Sequence, residues 1–547
     1  MNRRALLSLS GGMLAAATSR AQNTSNLPTL YDPHSYGAKG DGKNLDSPAI
    51  NAAIDACTKA GGGLVYLAPG TYLSGTVVLK SNVTLYLEAG ATVLGSKNLT
   101  DYTPQPGPNP KGDANQKHLI FARDAENVGL AGPGRIDGQG SSFWVPSGRV
   151  VPSTAEAWRD VATYDWKPLD RPSPMLEFVS CRYLRIDDVR IENASGWTLR
   201  PINCDYVWIR GINIKNPVIG PNTDGIDPTG CSNLVISDCV IDTGDDAICL
   251  KSENPYGGEP RLSSNITITN CVLTCCCNGL KFGTATRGGF ENITFSNSVI
   301  YNKDVDPRAR VIAGIAIEMV DGGWVEGVVI SGIRMQRVRT PIFVRRGNRH
   351  PRADGTPGPL RGVRIENVHA TGAILTNSIT GIPGFPVEDV TLSGIRIDSE
   401  EGGGAELVSQ VVPEQIPAYP EARMFGRLPA YGFYVRHAKG VRLQDVVLGA
   451  APGEARPAVI TDDVEGLDID GLRSAAVGVG QPVVKLIATQ DAWLKGCLAP
   501  AGTGTYLAVE GASSNITLSG SNLRGAKKAL DAAPDVTADA VVLHSNT

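Results

Sequence analysis

The sequence predicts an all-β solenoid, in which one chain winds into stacked coils of short strands. Apolar runs with alternating inward and outward positions recur 23 to 32 residues apart between residues 184 and 293, and similar runs follow. Glycine is abundant, at 63 of 547 residues, and no long amphipathic helix interrupts the runs. A single coil cannot bury its apolar side, so stacking builds the core. The predicted strands begin at Leu184, Val207, Leu234, Ile266, Ile293, Val328, Val363, Val390, Val441 and Leu467.

The N-terminal residues 1–21 are typical of a twin-arginine-type signal peptide. Arg3 and Arg4 precede an apolar run, and the small residues Ser19 and Ala21 suit cleavage by a signal peptidase. The apolar run is too short to span a bilayer. We therefore expect export to the periplasm or the extracellular space, and no membrane association of the mature chain.

A short helix and a set of asparagines are the next predicted elements. Residues Ser47 to Lys59 carry apolar side chains on one helical face, and this helix would cap the first coil because solenoid ends need covers. Asparagine suits tight bends, and its amide can hydrogen-bond to the same residue in the next coil. The asparagines that stand just before predicted strands are Asn82, Asn127, Asn233, Asn265 and Asn292.

Domain organisation follows from the repeat. Length alone favours three or four domains, at roughly 150 residues each, but a repeating chain uses its length on coils. We expect residues 22–547 to form a single β-helix domain, monomeric by analogy with other solenoids. Long loops are predicted at about 101–171 and 401–432. Their aromatic residues fit either a hydrophobic cover on the coils or a wall that stacks on a sugar.

The eleven cysteines have two readings. Seven of them lie between Cys231 and Cys277, and an oxidising compartment would pair some of them. However, Cys181, Cys204 and Cys231 each stand three residues before a predicted strand, which favours small buried residues stacked inside the coils. The adjacent thiols at 275–277 cannot all face one ion, because strand neighbours point to opposite sides. We therefore expect no metal and no cofactor.

Charge and histidine content exclude several classes of protein. Lys and Arg number 51 against 55 Asp and Glu, which gives a net charge of −4. Binding to nucleic acid needs concentrated positive charge, so we expect no nucleic-acid partner. The six histidines are far apart in sequence, which argues against a zinc site built from histidines.

The densest chemical pattern is a set of three aspartates. Asp245 and Asp246 follow Asp224 by about one coil, and residues one coil apart lie about 4.8 Å from each other in a parallel solenoid. Gly244 permits a bend that turns both neighbouring aspartates towards the same side. Close carboxylates raise at least one pKa and so create a proton donor. Two carboxyl groups about 6.5–9.5 Å apart would suit inverting glycoside hydrolysis.

These phrases resemble a known family. Asn-Thr-Asp-Gly at 222–225 and Gly-Asp-Asp at 244–246 resemble the two leading motifs of glycoside hydrolase family 28, the polygalacturonases and their relatives. The opening phrase at 36–42 resembles the N-terminal cap of pectin-degrading β-helix enzymes. The resemblance implies a single-stranded right-handed parallel β-helix and a glycoside hydrolase acting on pectic or related plant cell-wall polysaccharide, and the N-terminal segment predicts its export. It also implies Asp245 as general acid, with Asp224 and Asp246 holding and deprotonating the water.

The chain departs from the family pattern at two motifs. Asn278 takes the position of the histidine in the family's Gly-His-Gly phrase. Ala316 and Glu318 stand where the family carries an Arg-Ile-Lys phrase that grips the galacturonate carboxylate, and a glutamate repels a uronate. Plain polygalacturonan is therefore disfavoured, and rhamnogalacturonan-type or branched pectin is favoured.

The remaining candidates for substrate binding are polar and basic residues near these motifs. Each lysine among them would contact an acidic sugar or pair with a carboxylate. They are Asn222, Asn278, Lys251 and Lys281. A relocated clamp for the uronate is also open to Arg345, Arg346, Arg423 or Arg427.

Two other functions fit the same scaffold. A polysaccharide lyase would use the aspartates to bind calcium and a Lys or Arg to abstract the C5 proton. A non-catalytic β-helix would only bind glycans. Product absorbance of unsaturated uronates distinguishes the lyase, and binding without turnover distinguishes the non-catalytic protein.

Overall fold

The computed structural model describes residues 30–105, 117–150, 159–302, 306–477 and 480–547. Within these ranges the chain is a right-handed parallel β-helix with one α-helix at its N-terminal end, which confirms the predicted fold class. The predicted signal peptide at 1–21 lies outside the described residues. No helix among the described residues is long and apolar enough to cross a membrane.

The elements are numbered in chain order. Before the acidic motifs they are β1 (Leu30–Tyr31), β2 (Asp41–Leu45), α1 (Ser47–Lys59), β3 (Gly63–Leu67), β4 (Gly70–Ser74), β5 (Val77–Val78), β6 (Val83–Leu87), β7 (Ala91–Gly95), β8 (Ile120–Arg123), β9 (Gly129–Ala131), β10 (Arg135–Asp137), β11 (Trp144–Pro146), β12 (Trp166–Pro168), β13 (Leu176–Val179), β14 (Arg182–Asp187), β15 (Arg190–Glu192), β16 (Leu199–Ile202), β17 (Asp205–Arg210) and β18 (Asn213–Lys215). Around the motifs they are β19 (Ser232–Ser237), β20 (Val240–Asp242), β21 (Ile248–Ser252), β22 (Ser263–Thr269), β23 (Val272–Thr274), β24 (Asn278–Thr286), β25 (Gly289–Tyr301), β26 (Ala313–Met319), β27 (Trp324–Gln336) and β28 (Thr340–Arg346). The C-terminal strands are β29 (Arg361–Ala373), β30 (Asn377–Thr380), β31 (Val387–Ser399), β32 (Phe433–Gly449), β33 (Val459–Asp470), β34 (Arg473–Ser474), β35 (Pro482–Lys495), β36 (Thr503–Glu510), β37 (Ser514–Ser519), β38 (Ala526–Ala532) and β39 (Val541–His544). Short 3-10 helices span Pro33–Tyr36, Leu99–Asp101, Gly140–Phe143, Ala162–Asp165, Pro307–Ala309 and Ala405–Ser409.

The parallel strands stack into three faces. The first face runs β1, β3, β6, β9, β14, β17, β19, β22 and on through the long strands to β39. The second face begins β2, β4, β7, β10, β15, β18, β20, β23. The third face contains β5, β8, β13, β16, β21, β24, β26, β28 and β30 and ends at β38. Their inward side chains form one continuous core.

The ten predicted strand starts occupy one register position on the first face. Leu184 pairs with Val207, Val207 with Leu234, and the register continues without a slip to Leu467. None of these ten side chains is more than 2% exposed. A shift by one residue would turn every one of them outward, so burial fixes the register.

The predicted asparagine ladder is present, with an interruption. Asn127 donates to Asn82 at 2.9 Å, and Asn265 and Asn292 continue the ladder from Asn233. All five asparagines have positive φ, which asparagine tolerates. Tyr183 and Tyr206 occupy the two coils between Asn127 and Asn233 with φ of 57° and 55°. Left-handed backbone costs such residues about 1–2 kcal/mol each.

The capping helix α1 spans the predicted residues. It covers the first coil with Ile50, Ile54 and Cys57, which are fully buried. Asp46 precedes the helix, and its carboxylate accepts hydrogen bonds from the backbone N–H groups of Lys39 and Gly40. The opening phrase of the sequence is therefore bound to the start of the cap.

The cysteines are free, and ten of the eleven are buried. Cys181, Cys204 and Cys231 are at most 1% exposed and lie on successive coils, where the backbone N–H of Cys181 donates to Sγ of Cys204 at 3.4 Å. Their repeated position is therefore a core position, as the register predicts. Cys277 is the partly exposed one.

The two long loops pack together on the outside of the third face. Val161 and Ala162 from the first loop meet Phe425 and Leu428 from the second over Phe343, and these residues belong to a second hydrophobic cluster. The loops thus act mainly as a hydrophobic cover. The part of the first loop that contains Trp158 lies outside the described residues.

Candidate active site

The three aspartates lie where the chain enters the third face. Asp224 follows β18, and Asp245 and Asp246 stand between β20 and β21. Ile226 bridges to Ile248 across the coils, and Ile248 pairs with Leu280. The residues two positions earlier are Asp224, Asp246 and Asn278, so these three side chains occupy one register position on successive coils. We call Asp224, Asp245 and Asp246 the acidic cluster.

Gly244 lies at the bend that was predicted just before Asp245 and Asp246. A Cβ atom at this position would lie 2.5 Å from the carbonyl oxygen of Gly220, so no larger residue fits. Carboxylate oxygens of Asp245 and Asp246 and the Sγ atom of Cys277 lie within 4.8 Å of one another. The bend therefore turns both adjacent aspartates to the same side, although neighbours in a regular strand point apart.

Asp246 is anchored on two sides. Its Oδ1 accepts hydrogen bonds from the backbone N–H of Asn278 at 3.0 Å and from Nδ2 of the same residue at 2.7 Å. Its Oδ2 lies 3.1 Å from Nζ of Lys281. The amide Oδ1 of Asn278 is buried without a protein partner, which leaves it available to a substrate hydroxyl.

Asp245 has the environment of a proton donor. Desolvation and the adjacent charge of Asp246 raise its pKa to about 7. The thiol of Cys277 donates a hydrogen bond that acts in the opposite direction. Asp245 is the partly exposed member of the acidic cluster, whereas Asp224 and Asp246 are only 4% and 3% exposed. A carboxyl group with this pKa is protonated in a large fraction of molecules near neutral pH.

Asp224 completes the acidic cluster. Burial, followed by the nearby charge of Asp245, raises its pKa well above the usual value. Its Oδ1 atom is buried and has no hydrogen-bond partner within the protein. An oxygen in this position is available to bind a water molecule or a substrate.

Lys281 contacts both the acidic cluster and a buried glutamate, Glu318. Its Nζ lies 3.6 Å from Oε2 of Glu318, which is fully buried and whose pKa burial raises to about 8. The hydroxyl of Tyr419, on the second long loop, lies 3.1 Å from the same Nζ. Burial lowers the pKa of Lys281, but Asp246, Tyr419 and Glu318 outweigh it, and the net pKa is well above the usual value. Lys281 is therefore a fixed cation.

A second buried lysine lies on the N-terminal side of the acidic cluster. Nζ of Lys251 is 3.6 Å from Oδ1 of Asp227, whose pKa burial raises to about 6. The same ammonium lies 4.9 Å from the ring centre of Trp197, and the guanidinium of Arg200 lies 4.5 Å from that ring. Lys251 thus pairs with a carboxylate and also borders an aromatic surface next to the acids.

The outer row of the third face continues into residues that sequence reasoning missed. Glu177 pairs with Arg200 in register, and its carboxylate lies 3.0 Å from Nε2 of His118 and accepts a hydrogen bond from Tyr256 at 2.5 Å. Tyr256 lies 79 positions from Glu177 in the sequence, so no local pattern links them. The sequence did contain an indication of this group. Glu177 in β13 and Arg200 in β16 are charged residues that stand among apolar ones.

Asn222 lies apart from this network. It is exposed, and its amide oxygen accepts a hydrogen bond from Arg171 at 3.3 Å. The structure therefore brings Asn278 and Lys281 to the acidic cluster and Lys251 beside it, while Asn222 belongs to the loop surface.

The four arginines suggested for a relocated clamp are engaged elsewhere. Arg345 and Arg346 are buried and donate to backbone carbonyl groups, including those of Gly381 and Gly358. Arg423 pairs with Glu421 and also donates to the carbonyl of Arg159. Arg427 pairs with Glu401.

The donor set at Asp245, Asp246 and Cys277 does not suit calcium. Among the described residues, this is the group of His, Cys, Asp and Glu side chains that comes close enough to hold a metal ion. Calcium takes six to eight oxygen ligands, and one of these three donors is sulfur. A lyase also needs a base to abstract a proton, and the raised pKa of Lys281 opposes that role.

Comparisons with known proteins identify a family and related folds. Residues 68–415 match the family model described as glycosyl hydrolases family 28. The chain is 26% identical over 382 residues to a probable polygalacturonase of Vitis vinifera, across 66% of this chain and 73% of that one. A hyperthermoactive exopolygalacturonase from Thermotoga maritima shares 24% identity and a TM-score of 0.54, over 68% of this chain and 88% of that one. A family 28 exopolygalacturonase from Yersinia enterocolitica shares 17% identity and a TM-score of 0.58, over 81% and 78% respectively.

Proposed function

The chain belongs to family 28 of the glycosyl hydrolases and is therefore a glycoside hydrolase, and we propose that it cleaves rhamnogalacturonan-type or branched pectin rather than plain polygalacturonan. The observation that carries this proposal is the buried pair of Lys281 and Glu318. Glu318 stands at the lysine position of the family's uronate clamp. A buried carboxyl group at this position supplies no positive charge for a uronate, and it engages Lys281, the nearby cation.

The arginine position of the family's clamp is also unsuited to a uronate carboxylate in this chain. Ala316 is fully buried in the hydrophobic cluster beneath the two long loops. A sugar carboxylate placed there would lose its hydration without gaining a guanidinium partner, which is costly. A neutral sugar such as rhamnose at the same subsite carries no such cost.

The surroundings of each carboxyl group support its proposed catalytic role. Asp245, with its raised pKa, donates a proton to the departing glycosidic oxygen. Asp246, held by Asn278 and Lys281, accepts a proton from the attacking water, which Asp224 helps to position. Asp245 and Asp246 approach more closely than the about 6.5–9.5 Å of a typical inverting pair. Inversion is therefore supported by the family resemblance and not by this separation.

A substrate screen tests the proposal. Purified protein is assayed on homogalacturonan and on rhamnogalacturonan, each as polymer and as defined oligosaccharides, with Asp245→Asn as the inactive control. We expect a higher kcat/KM on the rhamnose-containing substrates, and proton NMR of the first product should show the inverted anomer. Equal or higher kcat/KM on homogalacturonan would overturn the substrate assignment. Products that absorb as unsaturated uronates would overturn hydrolysis.

Export is a separate part of the proposal. It is supported by the twin arginines and small residues of segment 1–21. We expect mature protein outside the cytoplasm that begins after Ala21, and retention of the full precursor when Arg3 and Arg4 are both changed to Lys. N-terminal sequencing of fractionated cells measures both, and an unprocessed chain in wild-type cells would contradict export.

A further inference from the structure

A groove of about 330 Å³ lies on the outer surface of the first face. The residues that line it include Thr84 on one coil, Asn127 and Gly129 on the next, Tyr183 and Arg185 on the third, and Trp208 on the fourth. The acidic cluster stands at the start of the third face, so the groove belongs to a different surface of the β-helix.

The groove results from a change in side-chain size along one outward row. Thr84, Gly129, Arg185 and Trp208 occupy the same register position on successive coils. A Cβ atom at Gly129 would lie 2.4 Å from Oγ1 of Thr84, so a glycine is required there. Arg185 and Trp208, on the next two coils, have large side chains that border the space left by Gly129.

Aromatic side chains form the higher wall. The rings of Tyr183 and Tyr206 stack with centroids 5.1 Å apart, and the guanidinium of Arg182 lies 4.9 and 5.3 Å from them. Both tyrosines hold left-handed backbone at the position where neighbouring coils carry ladder asparagines. Tyr183 is 37% exposed, so this strained position presents an aromatic ring to solvent. Backbone strain that persists on a surface points to a function.

Positive charge accompanies the aromatic wall. The guanidinium of Arg185 lies 4.5 Å from the ring of Trp208. A guanidinium stacked on an aromatic ring keeps its edge N–H groups available for a carboxylate. Asp187 also lines the groove, but it faces Arg210 at 3.7 Å.

We infer that this groove is a second, non-catalytic binding site for an acidic oligosaccharide segment of pectin. The aromatic rings of Tyr183 and Trp208 pack against the apolar face of a sugar ring, and Arg185 pairs with a uronate carboxylate. The inference rests on the proposed function only for the class of glycan, because both homogalacturonan and rhamnogalacturonan contain galacturonate. A polymer bound on the first face is held at the enzyme while another segment reaches the acidic cluster.

Binding is tested in the Asp245→Asn background, which prevents turnover. Isothermal titration with tetragalacturonate and with a rhamnogalacturonan tetrasaccharide should show a site that Trp208→Ala or Arg185→Gln weakens at least tenfold. Trp493→Ala is the matched control, because Trp493 stands in the same outward row, is 48% exposed and contacts Lys495. It should leave binding unchanged. A neutral galactotetraose should bind at least tenfold more weakly than either acidic probe.

Activity separates this inference from the proposed function. With Asp245 intact, Trp208→Ala should keep kcat/KM on a soluble oligosaccharide within twofold and lower the rate on insoluble cell-wall pectin several-fold. Unchanged binding by a folded Trp208→Ala protein, an equal loss in Trp493→Ala, or equal affinity for the neutral probe would each overturn the second site. Binding at the groove in a protein that hydrolyses no pectin would instead overturn the proposed function alone.

Discussion

Nζ of Lys281 lies 3.1 Å from Oδ2 of Asp246 and ties strand β24 to the acidic cluster by a buried ion pair. Both side chains are at most 5% exposed. The same ammonium faces Glu318 on the next coil. One cation thus pairs with two buried carboxyl groups, and its removal takes the ion pair from both.

Loss of this cation should destabilise the fold. We expect Lys281→Met to lower the free energy of unfolding by about 3–5 kcal/mol, since it leaves the buried carboxyl groups of Asp246 and Glu318 without their shared cation. Adding Glu318→Gln should recover part of the loss. Denaturant unfolding measures both, with Lys439→Met as control, because Lys439 pairs with Glu465 on the exposed surface. A Lys281→Met protein as stable as the control would contradict the importance of the pair.

Asp245→Asn should remove the general acid without changing the fold. We expect kcat to fall about 10²–10⁴-fold, the usual contribution of a positioned proton donor. Asp238→Asn is the matched control: Asp238 has positive φ on the outer surface, and the equivalent residue one coil later is Asn270. Initial rates and circular dichroism of both variants check this. A comparable rate in Asp245→Asn and Asp238→Asn would remove Asp245 from the mechanism.

The pH dependence should have an alkaline limb set by Asp245. Its pKa is raised to about 7, and a general acid acts in its protonated form, which is present below the pKa. We expect kcat/KM to fall above about pH 7, approaching tenfold per pH unit. Rates between pH 4 and pH 9 measure this limb, and the residual activity of Asp245→Asn should lack it. A profile that is flat above pH 7 in the wild type would exclude this assignment.

Asn278 should affect catalysis through Asp246. Asn278→Ala removes the 2.7 Å hydrogen bond to Oδ1 but keeps the backbone N–H bond. A hydrogen bond to a charged group contributes about 1.5–3 kcal/mol, so we expect kcat to fall about 10–100-fold. Asn278→Asp should be lower still, because it places a second negative charge beside Asp246. If kinetic constants for both variants match the wild type, Asn278 has no positioning role.

Much of the fold was predictable because the apolar pattern of the sequence repeats once per coil. The alternation at Leu184 and its equivalents fixes which side chains point inward, and stacking then sets their register. The convergence of Asp224 with Asp246 follows from the same spacing, since one coil brings register partners together. Gly244 added the bend that turns Asp245 to the same side.

The parts that were not predictable depend on contacts outside the repeat. Tyr419 reaches Lys281 from 138 residues away, and the packing of Phe425 over Phe343 joins two loops of irregular length. Loop contacts have no period, so their partners cannot be read from spacing. The hydrogen bonds from Arg345 to backbone carbonyl groups likewise have no period and could not be predicted from spacing.

The sequence by itself therefore determined the β-helix, its inward residues and the meeting of three aspartates, because these depend on the distance between coils. Only the tertiary structure decided which cations remain at the acidic cluster, which arginines are used to hold loops, and where a groove opens on the first face. Those outcomes depend on side-chain size and loop packing across the coils. The sequence suggested Lys281 as a basic residue near the acids, and the structure shows that it pairs with both Asp246 and Glu318.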